Sequence, residues 1–215
     1  MSSFTESKEE HGIHIPKIVI TGGPCSGKTT GMVRLQDTLK GLGYRVFIAP
    51  EAATLFFLAG IQFADLPNPA LSTAFQKSVI NGQLHLENSL ARYARATGQK
   101  SIILCDRGAM DGKAYMDDEA FDEILDDANL NLSTASAGRY DAVFHLVTAA
   151  DGAASHYTLE NNETRTESAE FACVIDKKTQ AAWAGHPKHY IIDNSGGGFE
   201  EKMDRLISTM LHCIG

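Results

Sequence analysis

Short apolar strands alternating with helical segments predict an α/β fold, a single parallel sheet of five strands between two layers of helices. Three observations carry that expectation. Five strand-like runs recur, at Lys17–Thr21, Arg45–Ala49, Ser101–Cys105, Asp141–Val147 and Tyr190–Ile192. Most of them are separated by stretches with the 3.6-residue apolar period of a helix, so neighbouring strands must run parallel and be joined by right-handed crossovers. The first strand also runs straight into a glycine-rich turn and then a helix.

Each element has its own reason. Lys17-Ile18-Val19-Ile20-Thr21 is β-branched and reads as a buried strand. Met32, Val33, Leu35 and Leu39 keep helical spacing until Gly41 and Gly43 stop the helix. The second strand ends at Pro50-Glu51, and 52–59 is a short apolar helix. Residues 60–69 hold two prolines and read as a connection. Leu71, Phe75, Val79, Leu86, Leu90 and Tyr93 share one face of a long helix over 70–97, ended by Gly98. The third strand is followed at once by Asp106-Arg107-Gly108. An acidic helix is expected over 117–128, and a loop rich in Asn, Ser, Thr and Ala over 129–139. Residues 150–168 are polar with little periodicity, and 169–184 reads as a helix. Gly196-Gly197-Gly198 precedes a last amphipathic helix carrying Phe199, Met203, Leu206, Ile207, Met210 and Leu211. The economical division is a loose tail over 1–15 and one domain over 16–215.

Composition narrows the partners. The net charge of −8 argues against a broad grip on nucleic acid or anionic membrane. No apolar run is long enough for a membrane span. Cys25, Cys105, Cys173 and Cys213 are scattered and form no C-x-x-C pair, which points away from zinc or a disulfide framework and towards a reducing, cytoplasmic setting. His186 and His189 lack metal spacing and read as loop residues, and Trp183 reads as packing.

The chemistry centres on GGPCSGKT, residues 22–29, which has the form G-x-x-x-x-G-K-[ST] of a phosphate-binding loop. Backbone N–H groups of Gly22, Gly23, Pro24-Cys25-Ser26 and Gly27 would cradle a triphosphate, excepting the proline, which has none. Lys28 would reach the β- and γ-phosphates, Thr29 would place its hydroxyl on Mg²⁺, and Thr30 and the residues after it open a helix whose positive end faces the anion. Ligands in such sheets lie beyond the carboxyl ends of the strands. That edge gathers four more candidates. Asp106 suits a second Mg²⁺ contact, and Arg107 a phosphate or the transferring group, or an ion pair with a neighbouring carboxylate. Glu51 suits either a base for an attacking hydroxyl or a cap for the following helix. Asp111 is a weaker acceptor contact. Arg165 sits in a polar stretch where a closing lid is expected, and Asp193-Asn194 lies where a purine base would sit, although both are also ordinary turn residues.

GGPCSGKTT, Pro50-Glu51, CDRGAMD at 105–111, RYDAVFHL at 139–146, ENNETR at 160–165 and IIDN at 191–194 together resemble the AAA-like phosphate-loop domains of the NadR and TRPL-translocation-defect type. That group includes the ribosylnicotinamide kinase domain of the NadR regulator and the nucleotide-binding domain of a fly receptor-trafficking protein. The resemblance covers the chain from about residue 16 and is closer to the trafficking branch. It implies a three-layer P-loop NTPase fold with a kinase-like five-stranded sheet and a lid segment. It also implies binding of ATP or GTP with Mg²⁺. Gly22, Gly27, Lys28 and Thr29 would hold nucleotide, Thr29 and Asp106 the metal, and Glu51, Arg107 and Arg165 would serve transfer. Trafficking-type proteins carry a further β-rich domain that is not seen before Gly215, so functions tied to it are not expected here. Three readings follow: a small-molecule kinase with a nucleoside-like acceptor, a nucleotide-regulated switch with a protein partner, and a hydrolase using water.

Overall fold

The computed structural model describes residues 13–152 and 168–215. The strands are β1 (Lys17–Gly22), β2 (Arg45–Ala49), β3 (Ser101–Asp106), β4 (Ala142–Leu146) and β5 (His189–Ile192). The helices are α1 (Lys28–Gly41), α2 (Ala52–Leu58), α3 (Pro69–Ala96), α4 (Asp118–Asp127), α5 (Leu132–Ala135), α6 (Ala169–Ala182) and α7 (Phe199–Ile214). The five strands form one sheet in the order β2-β3-β1-β4-β5, with every neighbouring pair parallel. β1 therefore lies at the centre, with Ile20 level with Asp106 on one side and Gly22 level with Leu146 on the other.

Alternation along the strands builds the two faces. Val19, Ile103, Cys105 and Val143 point to one side, against Ile80, Phe121, Ile124 and Trp183 of the α3, α4 and α6 layer. Ile18, Ile20, Ile102, Leu104, Phe144 and Leu146 point to the other, against Met32, Leu35 and Leu39 of α1 and Met203, Leu206 and Met210 of α7. Burying each such aliphatic side chain contributes about 1.5–3 kcal/mol. Central strands buried on both faces explain why the strand runs are almost continuously apolar.

Several local expectations are corrected. The expected loop over 129–139 contains the short helix α5, closed by reciprocal bonds between Asn131 and Thr134. Residues 109–115 wind into a 3-10 turn. α3 begins at Pro69 because the Asn68 side chain accepts from Ala70 N and Leu71 N. His189 belongs to β5 and not to a loop, and His186 is buried with Nε2 2.9 Å from Tyr140 O. Ile15, within the expected tail, is buried in the core, and Pro16 O accepts from Ile103 N.

A polar network hidden on α3 holds the edge of the site. The Glu87 side chain is fully buried and accepts from Arg139 Nε at 2.7 Å and Tyr140 OH at 3.0 Å. Tyr140 OH in turn accepts from Ala109 N, and Gln83 donates to Arg107 O. The main chain just after β3 is thereby fixed from behind.

Candidate functional site

The turn from β1 into α1 is tightly shaped. Gly22 has φ 140°, and a Cβ there would lie 2.0 Å from Leu146 O, so only glycine lets β1 leave the sheet beside β4. Cys25 adopts φ 55°, in the left-handed region, a strain of about 1–3 kcal/mol held by the surrounding structure. The loop is hooked from outside as well. Thr148 Oγ1 donates to Pro24 O, and Ala149 N donates to Cys25 O. Lys28 Nζ turns back over the loop, donating to Gly22 O at 3.0 Å and Gly23 O at 3.1 Å. Thr29 and Thr30 are exposed on the first turn of α1, whose amino end is directed at the same space.

Beside the loop stands a group of charges. Arg107 Nε donates to Glu51 Oε1 at 2.6 Å, and its NH1 donates to Asp111 Oδ1 at 3.2 Å. Arg107 itself has φ 66°, with its N–H bonded to Ile20 O. Asp111 is buried and fully engaged, accepting from Thr21 Oγ1 and from Gly108 N as well as Arg107. These bonds tie it to Arg107 and to the main chain after β3. Glu51 occupies the N-cap position of α2 without capping it. Its carboxylate makes no capping bond to α2, whose Ala52 N–H is satisfied by Gln83 Oε1 instead. The carboxylate turns to Arg107 and to the Thr54 hydroxyl.

Electrostatics tie these residues into one unit. Burial, and then Arg107, pulls the Lys28 pKa down to about 8, against the pull of Glu51, Asp106 and Asp111. Burial pushes the Asp106 carboxyl above its usual range, with Lys28 opposing and Glu51 reinforcing. Burial works against the Glu51 carboxylate too, but Arg107 and Lys28 outweigh it and hold its pKa low. Burial also opposes the Arg107 cation, yet Tyr115, Glu51 and Asp111 raise its pKa well above the ordinary value. Asp106 Oδ1 is buried and has no hydrogen-bond partner among the described residues. An unsatisfied carboxylate oxygen next to a phosphate-type loop is what a bound cation would complete. Asp106 and the Thr29 hydroxyl therefore fit Mg²⁺, which commonly takes only one or two protein ligands beside phosphates.

A family described as AAA domain matches residues 17–202, from the start of β1 to the first turn of α7. The chain belongs to that AAA-domain family. No curated protein matches it. As an AAA-type P-loop domain it binds nucleotide, in a family whose members hydrolyse nucleotide or transfer its phosphoryl group, usually with Mg²⁺.

The AAA domain brings Lys28, Glu51, Asp106 and Arg107 together, as the sequence predicts. It engages Asp193 and Asn194 differently. Asn194 Nδ2 donates to Thr148 O and Asp151 O, and its Oδ1 accepts from Lys202 Nζ, so the side chain ties the loops after β4 and β5 together. Asp193 accepts from Ser195 and pairs with Arg205. Arg165 and most of the expected lid lie outside the described residues. Among the described residues no helix is long and apolar enough to cross a membrane. Sequence reasoning missed Asp176, Thr148 and Lys202. Asp176 and Thr148 touch the loop from far along the chain, and Lys202 is joined to it through Asn194 and Thr148.

The Lys28 value gives a prediction with two opposite signs. Nucleotide affinity is expected to fall as pH rises through about 8, because the ammonium facing the phosphates is lost. The fold responds in reverse. The folded pKa lies below the unfolded 10.5, so the unfolded chain binds more protons between about 8 and 10.5, and this lysine's contribution to stability rises with pH across that window. Lys202, also lowered to about 8 by burial, acts on stability in the same direction. Calorimetric titration and thermal melts on both sides of pH 8 check the pair of trends.

Proposed function

We propose that this AAA domain is a Mg²⁺-dependent phosphotransferase that binds ATP or GTP and passes the γ-phosphoryl group to a hydroxyl of a small, nucleoside-like acceptor. The observation that carries the reading is the Glu51–Arg107 pair, set at the carboxyl edge of the sheet beside Lys28 and Asp106. A carboxylate and a guanidinium held by each other next to the phosphate loop supply both a proton acceptor and a cation where charge develops. In the step, the acceptor oxygen bonds to the γ-phosphorus and the bond to the β-phosphate oxygen breaks. The hydroxyl proton goes to Glu51 or Asp106, and the nucleoside diphosphate leaves. Lys28 stabilises charge on the transferring group, and Arg165 would add a second cation from the expected lid. Asp106 and Thr29 would hold Mg²⁺, whose charge neutralises the phosphate oxygens.

Charge balance supports a neutral acceptor. Lys28 and Arg107 face three carboxylates, Glu51, Asp106 and Asp111, and two of these, Glu51 and Asp111, already pair with Arg107. Little cationic capacity remains among the described residues for a phosphate on the acceptor, which favours a neutral one. Nucleic acid is no partner in this reading, in keeping with the net charge of −8, and the setting is cytoplasmic.

One observation favours the switch reading. Glu51 is ion-paired with its pKa held down, a poor starting point for a proton acceptor. In that alternative, nucleotide binding alters a protein partner's affinity. A screen of nucleosides, nucleotides and ribosylnicotinamide separates the two. Acceleration of nucleotide turnover by at least one hydroxyl compound, with a phosphorylated product, is expected. Turnover indifferent to every acceptor, with nucleotide-dependent partner binding, would favour the switch.

A further inference from the structure

Gly23, at the start of the phosphate loop, is reached from α6. Its N–H donates to Asp176 Oδ1 at 2.6 Å across 153 positions of sequence. The same oxygen accepts from Thr148 N at 3.1 Å, and His145 Nε2 lies 3.2 Å from it. Asp176 is 2% exposed, in the middle of α6. The approach is close enough that a Cβ on Gly23 would lie 2.7 Å from this oxygen. Thr148, fixed through its N–H by Asp176, uses its hydroxyl on Pro24 O, and the next residue, Ala149, donates to Cys25 O. One buried carboxylate oxygen therefore fixes the loop twice, directly at Gly23 and through Thr148 at Pro24.

A buried carboxylate beside an anion-binding loop would ordinarily weaken anion binding by repulsion. Here the carboxylate oxygen is engaged by the N–H groups of Gly23 and Thr148. From this we propose that Asp176, acting through Gly23 and Thr148, is a positioning residue for nucleotide. It sets the direction of the loop's inner N–H groups without touching the phosphates. The inference rests on nucleotide binding by the AAA domain and is independent of whether a phosphoryl group is transferred.

The test measures Mg²⁺-ATP and Mg²⁺-GTP binding by calorimetry for Asp176→Ala, Asp176→Asn, Thr148→Val and the Asp176→Ala/Thr148→Val double variant. Asparagine keeps an oxygen acceptor for both N–H donors. Asp176→Ala should weaken the better-bound nucleotide about tenfold or more, while Asp176→Asn stays within about threefold of the parent. Thr148→Val should weaken binding in the same direction, and the double variant should fall well short of the product of the two effects, as expected for residues in one chain of contacts. The Gly23 amide resonance should move in Asp176→Ala and return towards the parent position in Asp176→Asn. Alanine and valine variants that are folded, by near-ultraviolet dichroism, and still bind within about twofold would overturn the proposal. So would an asparagine variant as weak as the alanine one, since charge and not hydrogen-bond geometry would then be the cause. If Asp176→Ala does not fold, the smaller Thr148→Val change decides alone.

Discussion

Replacing Lys28 by alanine is expected to lower nucleotide turnover by about 10²–10³-fold, the usual loss when a preorganised cation at the transferring phosphoryl group is removed. The fold should survive. Among the described residues Lys28 Nζ bonds within its own loop, to Gly22 O, Gly23 O and, at 3.5 Å, Ser26 Oγ. Burial, which pulls its pKa down, disfavours the charged form in the fold, so truncation is expected to relieve that cost. Turnover assays and thermal melts on the same preparation check both halves. Undiminished turnover would remove the phosphate loop from the chemistry, and a collapsed melting temperature would make Lys28 a structural residue.

Arg107→Met is expected to harm both activity and stability. The guanidinium is shared by Glu51 and Asp111, with Arg107 14% and Glu51 30% exposed at the side chain. Breaking a buried pair from one side costs about 3–5 kcal/mol, and the partial exposure of Glu51 reduces the expectation to about 2–4 kcal/mol. Among the described residues, three carboxylates would then face one another with Lys28 alone to balance them, so turnover should fall by about 10²-fold or more. Adding Glu51→Gln separates the two effects. The double variant should recover part of the stability, because the unpaired charge is gone, but none of the activity. Recovery of activity would show that Arg107 serves only to neutralise Glu51.

The elements that were legible are those whose signal is local. β1 and α1 announce themselves by β-branching, a glycine-lysine turn and helical spacing, and the domain has them within two residues of the expected limits. α5 was missed because small polar residues suggest a loop, although Asn131 three places before Thr134 is a capping pattern. Glu51 remained ambiguous because a carboxylate at a helix start suits two roles. What its carboxylate touches depends on Arg107, 56 positions away, while Gln83 on α3 accepts from Ala52 N at the start of α2. Asp176 had no readable signal at all. It is one acidic residue in a helix with an ordinary amphipathic pattern, and its partners stand 28 and 153 positions away. Spacing rules describe neighbours on one element, and a carboxylate that acts across the sheet has none to obey.

The place of β1 in the sheet has a consequence for how the protein is made. The first strand to be synthesised is flanked by the third and the fourth, so it has no hydrogen-bonded neighbour until residue 106 is in place and lacks its second until residue 146. The loop at its end waits longer, until Asp176 arrives to hold Gly23. A ribosome-bound chain shorter than that carries the whole phosphate-loop motif yet lacks the contacts that shape it. Nucleotide captured by a nascent chain would thus time-stamp the docking of α6, and, being bound only by the finished arrangement, it would draw late folding steps forward by mass action.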